Sequence, residues 1–186
     1  MRYSKQHKEV TRQRIVKIAS KRFRKEGLDG VGVASLMADA GLTHGGFYNH
    51  FSSKEDLIEE ALVSAADGSR AESLRDFETG GVAQFIRSYL RTAHRDHPET
   101  GCSIAALAGE LPRHSKATRI VFTEDVNRMI LLIESGLPKP DPDVARAICA
   151  TLVGTLQLAR AVSDKKLSDQ LLKAGEKAAI ALSQAG

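Results

Sequence analysis

The apolar positions of this chain recur at helical spacing almost from end to end. Ile15, Ile18, Ala19 and Phe23 form one stripe, Leu57, Ile58, Ala61, Leu62 and Ala65 a second, and Phe85, Ile86, Tyr89 and Leu90 a third. No stretch alternates long enough to read as a strand. The pattern predicts an all-α chain of about nine helices, over residues 10–26, 33–40, 44–50, from about 54, 82–95, 102–111, 115–135, 142–162 and 165–184. A further short helix fits between Gly68 and Gly80-Gly81. Thr11, Thr43 and Ser52 or Ser53 stand where helix caps belong. Gly27 ends the first helix and Gly41 makes the turn after the second, both positions that favour a left-handed backbone.

Two segments break the amphipathic rule in opposite directions. Residues 34–54 read as a helix, a turn at Gly41 and a second helix too polar and glycine-rich to be ordinary core, which is the pattern of a helix-turn-helix reader of DNA. Gly45 and Gly46 open that second helix, where each costs ~1 kcal/mol against Ala. Two in succession imply that bulk is unwelcome, as where a helix enters a major groove. Thr43 is the cap and a phosphate donor, His44 and Asn49 are candidates for base edges, and Phe47 and Phe51 hold the helix against its neighbours. The eighth helix errs the other way. Ile148, Leu152, Thr155 and Leu158 belong to a set that leaves it almost no polar face, which predicts packing against a second copy of the chain.

Charge placement supports the first reading. The chain of 186 residues carries a net +4, yet residues 1–25 hold ten basic side chains against one acid, Glu9. That segment carries +9 and the remainder −5, an asymmetry suited to a polyanion met at one end. Lys5, Lys8 and Arg12 are placed to steer association or reach a flanking phosphate. No run approaches the ~18 apolar residues of a membrane span, and no apolar segment follows the basic start as in a secretory signal. The two cysteines, Cys102 and Cys149, have no metal-like spacing, so a reduced cytoplasmic setting is expected and neither a metal nor another cofactor.

Taken together, Arg12, Ile15, Ala19, Phe23 and Gly27, then Ala40-Gly41-Leu42-Thr43, then Gly45, Phe47, Tyr48, His50 and Phe51, then Lys54 and Leu57, resemble the TetR family of bacterial transcriptional regulators. Met37 departs from the pattern, standing where a small residue is typical; it is suited to filling the gap between the two helices. The resemblance implies a helix-turn-helix domain over 1–54 and a helical ligand-binding and dimerisation domain over 55–186. It implies that Tyr48, His50 and Lys54 contact DNA phosphates. It also implies a pocket for a small, mostly apolar effector, for which Phe85, Tyr89, Cys102, Leu107, Phe122, Met129 and Leu152 are the candidate lining.

The expected function is a dimeric repressor of a palindromic operator, released by that effector, with no enzymatic activity. Cys102 supplies one alternative, since a thiol opening a helix has a lowered pKa and reacts with electrophiles or oxidants. A regulatory protein-interaction module that does not bind DNA is another, and the basic N-terminus argues against it. A small enzyme would need a convergent nucleophile and base; Cys102 with His94 or His97 is the best pair available and is weak.

Overall fold

The computed structural model describes residues 5–184, with the side chain of Lys5 excepted, so the contact expected of Lys5 lies outside the described residues. Within them the chain is helical throughout, with no strand. The helices are α1 (Lys5–Glu26), α2 (Val33–Asp39), α3 (Lys54–Tyr89), α4 (Thr92–Asp96), α5 (Ser103–Leu107), α6 (Lys116–Ser135), α7 (Pro142–Ala161) and α8 (Lys165–Gln184). Short 3-10 turns run over His44–Asn49, Pro98–Thr100 and Leu111–Arg113.

Most boundaries follow local chemistry. The Ser53 hydroxyl accepts from the backbone N–H of Asp56, whose carboxylate accepts from that of Ser52, so α3 starts in a reciprocal capping arrangement. Ser115 accepts from Thr118 at the start of α6, Asp141 from Asp143 and Val144 at α7, and Asp164 from Lys166 and Leu167 at α8. Gly27 and Gly41 adopt φ of +84° and +68°, as their turns require.

Other boundaries differ from the sequence expectation. Helix α1 begins well before Thr11, which is a buried mid-helix residue and no cap. Gly68 does not interrupt α3; a side chain there would meet only open space, so the helix passes straight through. The break falls at Gly80 and Gly81, the latter at φ +63°, where the helix kinks. The fifth predicted helix is split at Leu90–Arg91, and the sixth is one short α-helix followed by a 3-10 turn that contains Pro112.

Two cores result. Ile15, Ala19 and Phe23 of α1, Leu36 and Met37 of α2, Phe47, Phe51 and the first turns of α3 around Leu57 and Leu62 make the N-terminal one. Its three phenylalanines are all but completely buried, each contributing ~1.5–3 kcal/mol. This core also takes in Leu107 and Leu111, so it extends past residue 54 on both α3 and the α5 region. The second core joins Phe85, Ile86 and Tyr89 to α6, α7 and α8.

Polar links tie the two. Glu110 accepts from the backbone N–H of Leu28 at 2.8 Å, His114 pairs with Glu55 at 2.8 Å, and Arg24 donates to the Gly101 carbonyl at 2.6 Å. No helix among the described residues is long and apolar enough to cross a membrane.

Helix α7 is not apolar on every side of an isolated chain. Ile148 and Leu152 are 0 % exposed in the chain's own second core, and so are not available to a partner. Thr155 lies against Gly175 of α8, where any side chain would collide with it. Of the four expected interface residues only Leu158, 56 % exposed, faces outward, beside exposed Ala147, Ala150 and Ala161. The stripe is apolar as expected, but half of it is needed to close the monomer.

Candidate nucleic-acid interface and cavity

The segment after Gly41 is a 3-10 turn rather than an α-helix. Its pivot is Phe47, buried against Phe51 with ring centroids 5.4 Å apart. Met37 fills the space behind, its Cε within 3.6 Å of where a Gly46 side chain would begin. With Phe47 turned inward, Thr43, His44, Tyr48 and Asn49 project outward, Tyr48 at 68 % exposure and edge-on to Phe47. Thr43 has the extended backbone of a cap but makes no side-chain capping bond; its carbonyl accepts from Gly46 instead, leaving the hydroxyl outside the helix.

Nothing in the fold demands glycine at 45 or 46. Neither has a positive φ, and side chains there would meet open space at 45 and ordinary contacts at 46. The chain's own packing therefore gives no reason for glycine at either position.

The basic residues divide. Arg12 does not stand free for phosphate: its guanidinium bonds Glu60 and lies 4.3 Å from the Phe51 ring centroid, pinning α1 to α3. Arg22 is likewise held by Glu26 and Asp39. Lys8, Arg14 and Lys17 remain exposed on α1. Lys54 sits half-buried in the first turn of α3. His50 is partly buried with Nδ1 unpartnered, and burial together with nearby Lys8 and Arg12 lowers its pKa.

A cavity of about 460 Å³ lies between α3, α6 and the segment 100–104. Phe85, Tyr89, Cys102 and Met129 line it as expected. Leu107, Phe122 and Leu152 do not: Leu107 packs in the N-terminal core, Phe122 sits between the two cores, and Leu152 is sealed inside α7's own packing. Sequence reading missed His94, Asp125, Leu131 and Leu132. The Leu131-Leu132 pair was the available signal, since one apolar stripe on α6 needs only one of them.

Cys102 precedes α5 but is not activated. Burial pushes its thiol up, outweighing what a five-residue helix offers, and burial does the same to Cys149, up to about 11. Its backbone N–H donates to His94 Nε2 at 2.9 Å, while His94 Nδ1 pairs with the Tyr89 carbonyl at 2.7 Å. Since that carbonyl only accepts, Nδ1 carries the proton and the ring is neutral; burial lowers its pKa to about 4.

Residues 15–61 match the family model described as bacterial regulatory proteins, tetR family. Over 148 residues, 72% of this chain and 70% of the relative, the sequence is 25% identical to the HTH-type transcriptional repressor KstR2 of Mycolicibacterium smegmatis. Over 59 residues, 32% of this chain and 27% of the relative, it is 36% identical to the HTH-type transcriptional regulator AcrR of Shigella flexneri. In fold it is similar to a TetR-family transcriptional regulator from Cytophaga hutchinsonii, with a TM-score of 0.76, 21% identity and coverage of 97% and 98% of the two chains. It is similar also to reduced E. coli NemR, with a TM-score of 0.72, 19% identity and coverage of 91% and 95%.

Proposed function

We propose that the chain, whose residues 15–61 match the tetR family of bacterial regulatory proteins, is a homodimeric repressor of a palindromic operator, released by a small, mostly apolar effector. The observation that carries the reading is the outward set on the 43–50 turn, held rigid by buried Phe47 and free of any internal role.

In this reading Thr43, Tyr48, His50 and Lys54 meet phosphates, His44 and Asn49 meet base edges, and Gly45 and Gly46 let the backbone approach. Lys8 and Lys5 add charge at the flank, while Arg12 positions α1 and contacts no phosphate. Two copies joined through the outward faces of α7 and α8, around Leu158, would present two such turns to half-sites ~34–36 Å apart. The cavity would hold the effector, which acts only through a preference for one arrangement of the two readers. The setting is the cytoplasm, where both thiols stay reduced.

A gel shift with the DNA upstream of the chain's own coding region tests the proposal. We expect a specific complex at moderate salt that protects two symmetric half-sites. Absence of any specific complex there would sink it.

A further inference from the structure

Among the described residues, the cavity lining has one buried side-chain oxygen without a hydrogen-bond partner. Tyr89 is 7 % exposed, lines the cavity, and its hydroxyl makes no hydrogen bond. It faces the Cys102 thiol, a weak partner. Buried hydroxyls are normally satisfied, so this one stands out. Its neighbours cannot serve in its place. His94 packs edge-on to the Tyr89 ring, with centroids 4.7 Å apart, and both its nitrogens are already engaged. The Ser103 hydroxyl is given to Asp125 at 2.8 Å.

Around that hydroxyl the wall is apolar. Phe85, Ile104 and Met129 are buried beside it, and Leu74 and Leu131 lie exposed toward solvent. The cations of the lining, Arg70, Arg91 and Arg128, are exposed, with Arg91 paired to Glu72 at 2.5 Å, while Arg160 stands behind the Gly101 segment, outside the lining, and donates to the His94 and Arg95 carbonyls. A partly buried charged group of the lining is a carboxyl, Asp125, whose pKa burial raises. An anion entering to the depth of Tyr89 would lose its water, meet no buried cation in the lining and approach a carboxyl. A cation would find Asp125 already holding the Ser103 hydroxyl, with Arg128 at 4.0 Å.

We propose that the ligand of this cavity is an uncharged, largely apolar molecule whose carbonyl or hydroxyl oxygen pairs with the Tyr89 hydroxyl. The inference rests on the reading of the cavity as the effector site and names the chemistry that site selects. A volume of about 460 Å³ accommodates two fused or linked rings.

Calorimetric titration of the full chain with three probes of one shape tests it: biphenyl-4-ol, biphenyl-4-carboxylate and the cationic 4-phenylbenzylamine. We expect the alcohol to bind most tightly, with the charged probes at least about tenfold weaker. Tyr89→Phe removes a hydroxyl whose one neighbour is the weakly bonding Cys102 thiol, so the variant folds; it should weaken the alcohol about three- to tenfold and leave unsubstituted biphenyl unchanged. A charged probe binding as tightly as the alcohol, no binding of the alcohol, or no effect of Tyr89→Phe overturns the inference. A gel shift with the alcohol added keeps the two ideas apart. Binding in the cavity without release of DNA leaves the ligand class standing and removes the ligand-responsive repressor.

Discussion

The cluster around Phe47 and the cluster around Tyr89 are both aromatic groups on helical segments, but they are finished differently. Phe47 stacks on Phe51, meets Tyr48 edge-on, and has Met37 behind it. Around Tyr89, the rings of Phe85 and His94 leave a cavity on one side and a hydroxyl with nothing to bond. The first cluster is closed, and therefore presents a fixed outer surface. The second is incomplete, and therefore has something to gain from a ligand. Close packing gives geometry; a packing fault with a polar atom in it gives affinity.

The comparison can be broken most directly at Phe47. Phe47→Ala should cost about 3–5 kcal/mol in denaturant unfolding, because the site is sealed and cannot collapse. A loss below about 1 kcal/mol would show the first cluster to be no better packed than the second.

The cavity side should answer to pH. His94 sits at about 4 in the fold because burial disfavours its charge. Unfolded, it titrates near ~6.5. The stability this difference provides is fully present above ~6.5 and lost as pH falls toward 4, on the order of 3 kcal/mol. Arg160 and Arg91 push in the same direction as burial, while Glu72 and the bond to the Tyr89 carbonyl oppose it. Asp125, with its raised pKa, acts with the opposite sign and blunts the loss. Urea unfolding of the native chain at about pH 7 and about pH 4.5 should show the drop, and His94→Gln should flatten it.

Gly101→Ala probes the same wall sterically. Its new methyl group would run into the His94 ring, which is held at both nitrogens and has no freedom to move aside. We expect a loss of about 1–3 kcal/mol, measured by thermal or urea unfolding. Free tolerance would mean that the wall is soft.

The smallest effect on stability belongs to Tyr48→Ala. At 68 % exposure its removal should change folding by no more than about 0.5 kcal/mol. Operator affinity in a gel shift should nevertheless fall about tenfold. Equal affinity would remove Tyr48 from the interface.

The closed cluster was far more legible in the sequence than the open one. Phe23, Leu36, Phe47, Phe51 and Leu57 sit at short separations where period and turn chemistry decide everything. Gly27 and Gly41 announced their φ angles, and Ser53 its cap. The chain's second half depends on contacts between distant residues, which no local pattern encodes. Ile148 and Leu152 read as apolar, but whether they face α6 and α8 or another molecule is a question of three-dimensional packing. Leu107 looked like a lining residue by composition and is core by topology. Arg12 looked like a free cation until Glu60, 48 residues later, arrived beside it. Cys102 at a helix start suggested a lowered pKa, and burial reversed the sign. Of the glycines expected to interrupt the pattern, Gly80 and Gly81 do bend the helix, whereas Gly68, in a well-nucleated helix, is merely tolerated.

The chain contains no tryptophan and three tyrosines, Tyr3, Tyr48 and Tyr89. With no indole to drain their excitation, the phenols report for themselves. Tyr48 stands in water on the turn proposed to meet DNA, and Tyr89 lies buried on the cavity wall. Each of these two surfaces thus carries its own fluorophore. With Tyr3 and one other removed as phenylalanine, the remaining emission becomes a native, label-free reporter of a single surface.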